Sequence, residues 1–393
     1  MIYIKRIIKK MFQFICRIIP VKRKVVASSF GGKRYGDNSK AIIEALHEID
    51  NSIDIVWIKD NKYTYSVPNY IRVVNKQSII RRYYEYTTAK VWIDTHYLPT
   101  DLIRRKKQMF IETWHGGLSI KKVGYGNADF EKNNKKNPGA DRTAKFASVC
   151  ISNSSHLDHV YRDELNYKGP IYKCGYPRND ILFADNKEIR KKVCRFYNIP
   201  DNKKIILYVP TFRDGERSYD SEKLYRYLYG IDFDLLCSNM SKKFKGDWIV
   251  LVKLHPGLIM SGINICDSSN TIDATQYTDI QDLIMACDIC ISDYSSTIFE
   301  AAVRKVPCFT FARDFEQYKE KRGVEFEMEE LPFPYAVDNE ELMRNIAEFD
   351  YNDYLKKWEE FKIKTGLYET GHASYDVAMK IKDYINGKQI SWD

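Results

Sequence analysis

His115 stands where the hydrophobic run QMFIETW ends and two glycines, a short spacer and two lysines follow. Imidazole titrates near neutrality, and glycine at 116 and 117 lets a second molecule approach the backbone. His115, with Gly116 beside it, therefore has the makings of a general base. A histidine that only filled a core would need neither the glycine pair nor the trailing lysines. Three further hydrophobic runs end in groups suited to phosphate or proton transfer. Thr211 and Arg213 follow IILYVP, Lys253 and His255 end WIVLVKLHP, and Asp293, Ser295 and Ser296 follow DICIS and open the segment STIFEAAVRK. A guanidinium such as Arg213 forks two phosphate oxygens, and a protonated His255 can bridge a diphosphate. Serine hydroxyls and free N–H groups at a helix start make an anion site, although an ordinary helix cap uses the same residues. Glu300, one turn along that helix from Ser296, can reach the hydroxyls of a ribose. Arg178 and Asn179 in GYPRND add a cation and an amide in a turn.

These groups are informative because of the elements that carry them. KVVASSF, IDIVWIK, KVWIDTH, QMFIETW and ASVCISNS read as short buried strands, with DNSKAIIEALHEID as a helix capped by Asp37 or Asn38 between the first two. A second series, KKIILYVPTF, DWIVLVKLHP, NTIDAT, DICISDYSS and VPCFTF, repeats the pattern, and the tail from Leu355 reads as two helices. Strand alternating with helix argues for parallel α/β sheets, in which ligands bind beyond the carboxyl ends of the strands. The helix and linker ADNKEIRKKVCRFYNIPDNK separate the two series. We place one domain at 25–195 and a second at 196–393.

At 393 residues the chain is long enough for two cores. Its net charge of +9 points to an anionic partner. Nine cysteines without paired metal spacing fit free thiols in a reducing compartment. Residues 1–24 carry eight basic residues, and the first acidic residue is Asp37. Ile4, Ile8, Met11, Ile15 and Ile18 recur at helical spacing, as expected of a basic amphipathic helix lying in the plane of an anionic bilayer. No run is long and apolar enough to span one. No helix-turn-helix or RNA-binding signature accompanies the charge, which argues against nucleic acid. No acidic cluster of the magnesium-caging kind is present, with Asp293 a lone carboxylate, so no tightly held metal is expected.

The segments ETWHGGLSIKKVG, GYPRND, YVPTFRD, KLHP, SDYSSTIFE and YKEKRGVEFEMEELPFP together resemble the CDP-glycerol glycerophosphotransferases, which build teichoic acids and related wall and capsule polymers. ASSFGGKRYGDNSKAI resembles that family's N-terminal block, and the likeness runs from about residue 25 to 385. It implies two facing Rossmann-like, doubly wound α/β domains in the glycosyltransferase B arrangement. It also implies a peripheral enzyme on the cytoplasmic face of the cell membrane, without cofactor. Such an enzyme moves glycerol phosphate from CDP-glycerol to a lipid-linked acceptor and releases CMP. By this resemblance His115 is the base on the acceptor hydroxyl, while His255, Arg213, Ser295, Ser296 and Glu300 hold CDP-glycerol. The chain reads HGG where many members read HGT, so any task of that threonine hydroxyl falls elsewhere. Ribitol phosphate transfer, or a nucleotide-sugar glycosyltransferase on the same scaffold, is the alternative.

Overall fold

The computed structural model describes residues 14–16, 18–96, 102–128, 136–211, 213, 229–254 and 268–392. The strands are β1 (Lys22–Ser28), β2 (Asp54–Lys59), β3 (Arg72–Asn75), β4 (Ala89–Asp94), β5 (Met109–Glu112), β6 (Val149–Ser152), β7 (Ile171–Lys173), β8 (Lys203–Val209), β9 (Asp247–Val252), β10 (Thr271–Asp273), β11 (Ile289–Ser292), β12 (Cys308–Phe311) and β13 (Tyr335–Ala336). Between and after them run α1 (Asp37–Ile49), α2 (Ile79–Thr88), α3 (Pro138–Phe146), α4 (Ser155–His159), α5 (Lys187–Tyr197), α6 (Phe233–Phe244), α7 (Ile280–Ala286), α8 (Thr297–Val303), α9 (Phe315–Arg322), α10 (Asn339–Glu348), α11 (Tyr351–Thr365) and α12 (Ala373–Ile385).

Two sheets result, ordered β3-β2-β1-β4-β5-β6-β7 and β10-β9-β8-β11-β12-β13, with parallel pairings throughout. Both are doubly wound. Strand order reverses between β1 and β4 in the first sheet and between β8 and β11 in the second, which opens a crevice at each point. The two expected Rossmann-like domains are present. Their central strands are β-branched and aliphatic because helices cover both faces; VCIS of β6, ICIS of β11 and CFTF of β12 are buried at every position. Side chains of Asn137, Ser154, Asp232, Asp279, Asp338 and Asp350 accept from the first turns of their helices.

Three expectations need correction. The boundary at 195/196 cuts α5, whose Val193 and Cys194 belong to the second domain's core. The tail is not all second-domain. α12 returns to the first domain, where Val377, Ala378, Ile381 and Ile385 share a core with Ile42, Ile43 and Leu46 of α1. Its apolar face, read from sequence, says that it packs but not on what. Neither Asp37 nor Asn38 is the cap residue of α1, although Asp37 Oδ1 accepts from the Asn38 N–H at 2.8 Å in the first turn. The cap position is Gly36, and Asp37 Oδ2 and the Asn38 amide are used elsewhere, as shown below.

The N-terminal reading falls partly outside the described residues. Ile4, Ile8 and Met11 are not described, whereas Phe14, Ile15 and Ile18 are strongly exposed. Residues 22–24 belong to β1 rather than to a helix, and Lys24 is buried in an ion pair with Glu85 at 2.6 Å. Among the described residues no helix is long and apolar enough to cross a membrane.

Candidate active site

The end of β5 leads into Trp114, which has φ 52° and so sits in the left-handed region that costs a bulky residue energy. Both of its backbone polar groups are held. Its N–H donates to Glu112 Oε1 at 3.0 Å, and its carbonyl accepts from Asn38 Nδ2 at 3.2 Å. This bend delivers His115 to the first crevice. There its ring lies 5.2 Å from Phe30, just past β1, and 5.3 Å from His96, just past β4. Nδ1 of His115 is 2.9 Å from the carbonyl oxygen of Thr95. A carbonyl only accepts, so Nδ1 carries the proton and Nε2 presents a lone pair. Burial, reinforced by the neighbouring His96, holds His115 well below the usual imidazole range. The ring is therefore neutral at physiological pH, with the tautomer a general base requires.

The second crevice gathers Thr211, Arg213 and Asp293 at the ends of β8 and β11. Asp293 Oδ1 accepts from the backbone of Thr211 at 2.8 Å and of Tyr294 at 2.6 Å. Arg213 is 3% exposed and held on both edges: its guanidinium binds Asp314 twice at 2.8 Å, Asp293 at 2.7 Å and the Thr211 carbonyl at 2.6 Å. The ring of Tyr294 lies 4.6 Å from it. Its fork is spent on carboxylates of its own domain, which corrects the reading that it grips phosphate directly. The residue type alone does not distinguish the two uses, and the partner Asp314 lies 101 positions away in sequence. Arg213→Lys is expected to leave one of the two carboxylates short of a donor, costing about 1–3 kcal/mol. A thermal unfolding midpoint equal to wild type would refute this.

Lys253 lies apart from that cluster. Its ammonium donates to the carbonyl of Tyr277 at 2.6 Å, and burial, with Arg34 nearby, pushes it down to about 8. Arg34, past β1 in the other domain, stacks on Phe30 at 3.7 Å, and burial pushes its guanidinium down too. The two cations lie close enough for Arg34 to disfavour the charge on Lys253, and such a pair suits a polyanion. Arg34 was missed from the sequence although it follows β1 as His115 follows β5. His255 lies outside the described residues.

Where the domains meet, the remaining expected residues come together. A side-chain carbon on Gly116 would lie 3.8 Å from Ser296 Oγ, so the His115 turn touches the start of α8. Ser295 Oγ is used locally, donating to Thr297 Oγ1 at 3.0 Å. Arg178, 8% exposed, joins Asp37 of α1 at 2.7 Å to Glu300 of α8. Gln281 donates to the other oxygen of Glu300 and, at 3.2 Å, to Asn179. Both oxygens of Glu300 are thus occupied by protein groups rather than open toward a ribose. Burial pushes the Glu300 carboxyl up against the pull of Arg178, and for Arg178 the two carboxylates outweigh the cost of burial. Glu369, which sequence reasoning passed over, accepts from Asn179 Nδ2 and Asn153 Nδ2, each at 2.7 Å, and burial pushes it up to about 7. Lys40 to Asp279 at 3.1 Å adds a further tie between the domains.

Residues 11–383 match the family model of the CDP-glycerol:poly(glycerophosphate) glycerophosphotransferases. The chain belongs to that family. It is similar to the teichoic acid poly(glycerol phosphate) polymerase of Staphylococcus epidermidis, 29% identical over 90% of this chain and 49% of that protein. It is also similar to the teichoic acid glycerol-phosphate transferase of Staphylococcus aureus, 27% identical over 92% of this chain and 94% of that one. The chain spans about half the length of the first relative and nearly all of the second. A solved structure of a variant of the wall teichoic acid polymerase TagF, soaked with CDPG, superposes with a TM-score of 0.81 at 26% identity, covering 96% of this chain and 93% of that one. The family's GT-B-like pair of parallel sheets is the pair described above.

Proposed function

We propose that the chain transfers glycerol phosphate from CDP-glycerol to a hydroxyl of a lipid-linked acceptor in the synthesis of teichoic acid or a related wall or capsule polymer. The observation that carries this reading is the His115 tautomer: Nδ1–H is fixed on the Thr95 carbonyl, so Nε2 carries the lone pair, in a turn whose Gly116 lies against Ser296 of the second domain. His115 Nε2 takes the proton of the acceptor hydroxyl as its oxygen attacks the phosphorus bearing glycerol. The bond from that phosphorus to the bridging oxygen breaks, and CMP leaves with the electron pair. Charge grows on CMP in this step. Lys253, Arg34 and His255 are the cations we assign to it, with Thr211, Ser295 and Ser296 lining the donor side. Arg178, Asn179, Arg213, Asp293 and Glu300 hold the two walls in place.

The family supports the donor, and the solved TagF variant was soaked with CDPG. The membrane placement rests on the basic N-terminal residues and on the exposed Phe14, Ile15 and Ile18. The test is CMP release from CDP-glycerol, with CDP-ribitol and sugar nucleotides as comparators, in vesicles holding a lipid-linked disaccharide. Acceptor-dependent CMP release from CDP-glycerol is expected. A nucleoside diphosphate released from a sugar nucleotide, with no CMP from CDP-glycerol, would overturn the reading in favour of a glycosyltransferase. Removing residues 1–20 should lower turnover in anionic vesicles while sparing a short water-soluble acceptor. Equal losses on both would exclude a membrane role.

A further inference from the structure

The turn that carries His115 is braced at two points, and both braces lead to one residue. The Tyr176 hydroxyl donates to the Gly116 carbonyl at 2.9 Å. Asn153, at the end of β6, fills the space beside Gly117 so closely that a side-chain carbon there would lie 2.6 Å from its Nδ2. Tyr176 and Asn153 are both essentially buried, and they come from separate segments of the first domain. Glu369, in the strap between α11 and α12, accepts from the Tyr176 backbone N–H at 2.9 Å through Oε2 and from Asn153 Nδ2 at 2.7 Å through Oε1. The strap itself is pinned, because Tyr368 N–H donates to the Asn153 carbonyl at 2.8 Å and Leu367 bridges Ser154. Oε1 also accepts from Asn179, whose carbonyl oxygen is bound by Gln281, the residue that holds Glu300.

We infer that Glu369 is a positioning residue for transfer. Through Tyr176 and Asn153 it fixes the His115-Gly116-Gly117 turn, and through Asn179 and Gln281 it registers that turn against the donor wall. This inference rests on the assignment of His115 as the base. The chemistry requires a carboxylate. Three N–H donors converge on two oxygens, and a carboxylate offers acceptors only. Glutamine would point an NH2 group at a donor on one side, releasing either Tyr176 or both asparagines. Gly175, next to Tyr176, has φ +90°, and a side-chain carbon there would come within 3.0 Å of Glu369 Oε2, so the carboxylate fits against bare backbone. A base displaced by about 1 Å loses on the order of 100-fold in rate while substrate binding elsewhere is spared.

The experiment compares Glu369→Gln, Tyr176→Phe, His115→Ala and the double variant Glu369→Gln/His115→Ala. Each is assayed for kcat and for KM of CDP-glycerol, with thermal midpoints recorded. Glu369→Gln is expected to lower kcat by roughly 10- to 100-fold with donor KM within about threefold of wild type. Tyr176→Phe, which removes only the hydroxyl on Gly116, is expected to lower kcat in the same direction by a smaller factor. In the His115→Ala background the glutamine substitution should add less than about twofold, because a brace has nothing to place once the base is gone. Wild-type kcat in Glu369→Gln, a loss confined to donor KM, or a full additional loss on top of His115→Ala would each overturn the inference. If Glu369→Gln does not fold, Tyr176→Phe decides, and normal kcat there refutes the brace. Near-normal activity in His115→Ala alone would instead strike down the assignment of the base itself.

Discussion

His115→Ala is expected to lower turnover by about 100-fold or more while CDP-glycerol affinity, measured by calorimetry, changes little. The geometry sets both halves of this outcome. The imidazole sits in the first domain's crevice with its tautomer fixed by Thr95, and the positive charge we assign to the donor belongs to other side chains. Losing the ring removes proton acceptance without removing positive charge. The pH profile provides a second check. Burial holds His115 below its ordinary range, so the ring is already deprotonated at pH 6.5 and gains its proton only at lower pH. Its contribution to the acid limb of kcat/KM therefore falls below pH 6.5, and activity declines as pH drops through that limb. Turnover of the alanine variant close to wild type would exclude His115 from proton transfer.

The parts of this molecule legible in its sequence share one property: their cause is local. Runs such as KVVAS and ICIS declare buried parallel strands by composition alone. A histidine or serine placed just after such a run declares a strand end, which in a doubly wound sheet faces ligand. The edge strands β3, RVVN, and β7, IYK, were not visible in the same way, because short and partly exposed edges lack a continuous apolar run. What sequence does not carry is who meets whom. Arg213 and Arg178 both look like phosphate ligands by type and position, yet each is paired with carboxylates about 80 to 140 residues away. Arg34 comes near Lys253, some two hundred positions on, only through the fold. Glu369 has no local signal at all. Its three donors come from Asn153, Tyr176 and Asn179, and only the return of the tail to the first domain brings it among them.

The largest stability effect is expected at Arg178. Its guanidinium lies between Asp37 and Glu300, with all three groups under 10% exposed, so the pair of ion contacts joins the domains in a poorly solvated place. Replacing Arg178 by Met keeps much of the side-chain volume but leaves two carboxylates uncompensated. Breaking a buried pair in this way costs about 3–5 kcal/mol. Since solvent ions do not reach such a site as they reach a surface pair, added salt should restore little of the loss. Glu300→Gln in the same chain removes one uncompensated charge and should recover part of it. The pH dependence supplies the sharpest discrimination. Burial already raises the Glu300 carboxyl, and without the opposing pull of Arg178 its folded-state pKa rises further above the unfolded value. The folded chain then binds more protons than the unfolded chain between those two pKa values. Its deficit relative to wild type should accordingly shrink as pH falls through the folded pKa toward about 4 and be fullest above it. A deficit that stays constant from pH 8 to pH 5 would show that Arg178 supports the fold through packing rather than by neutralising Asp37 and Glu300.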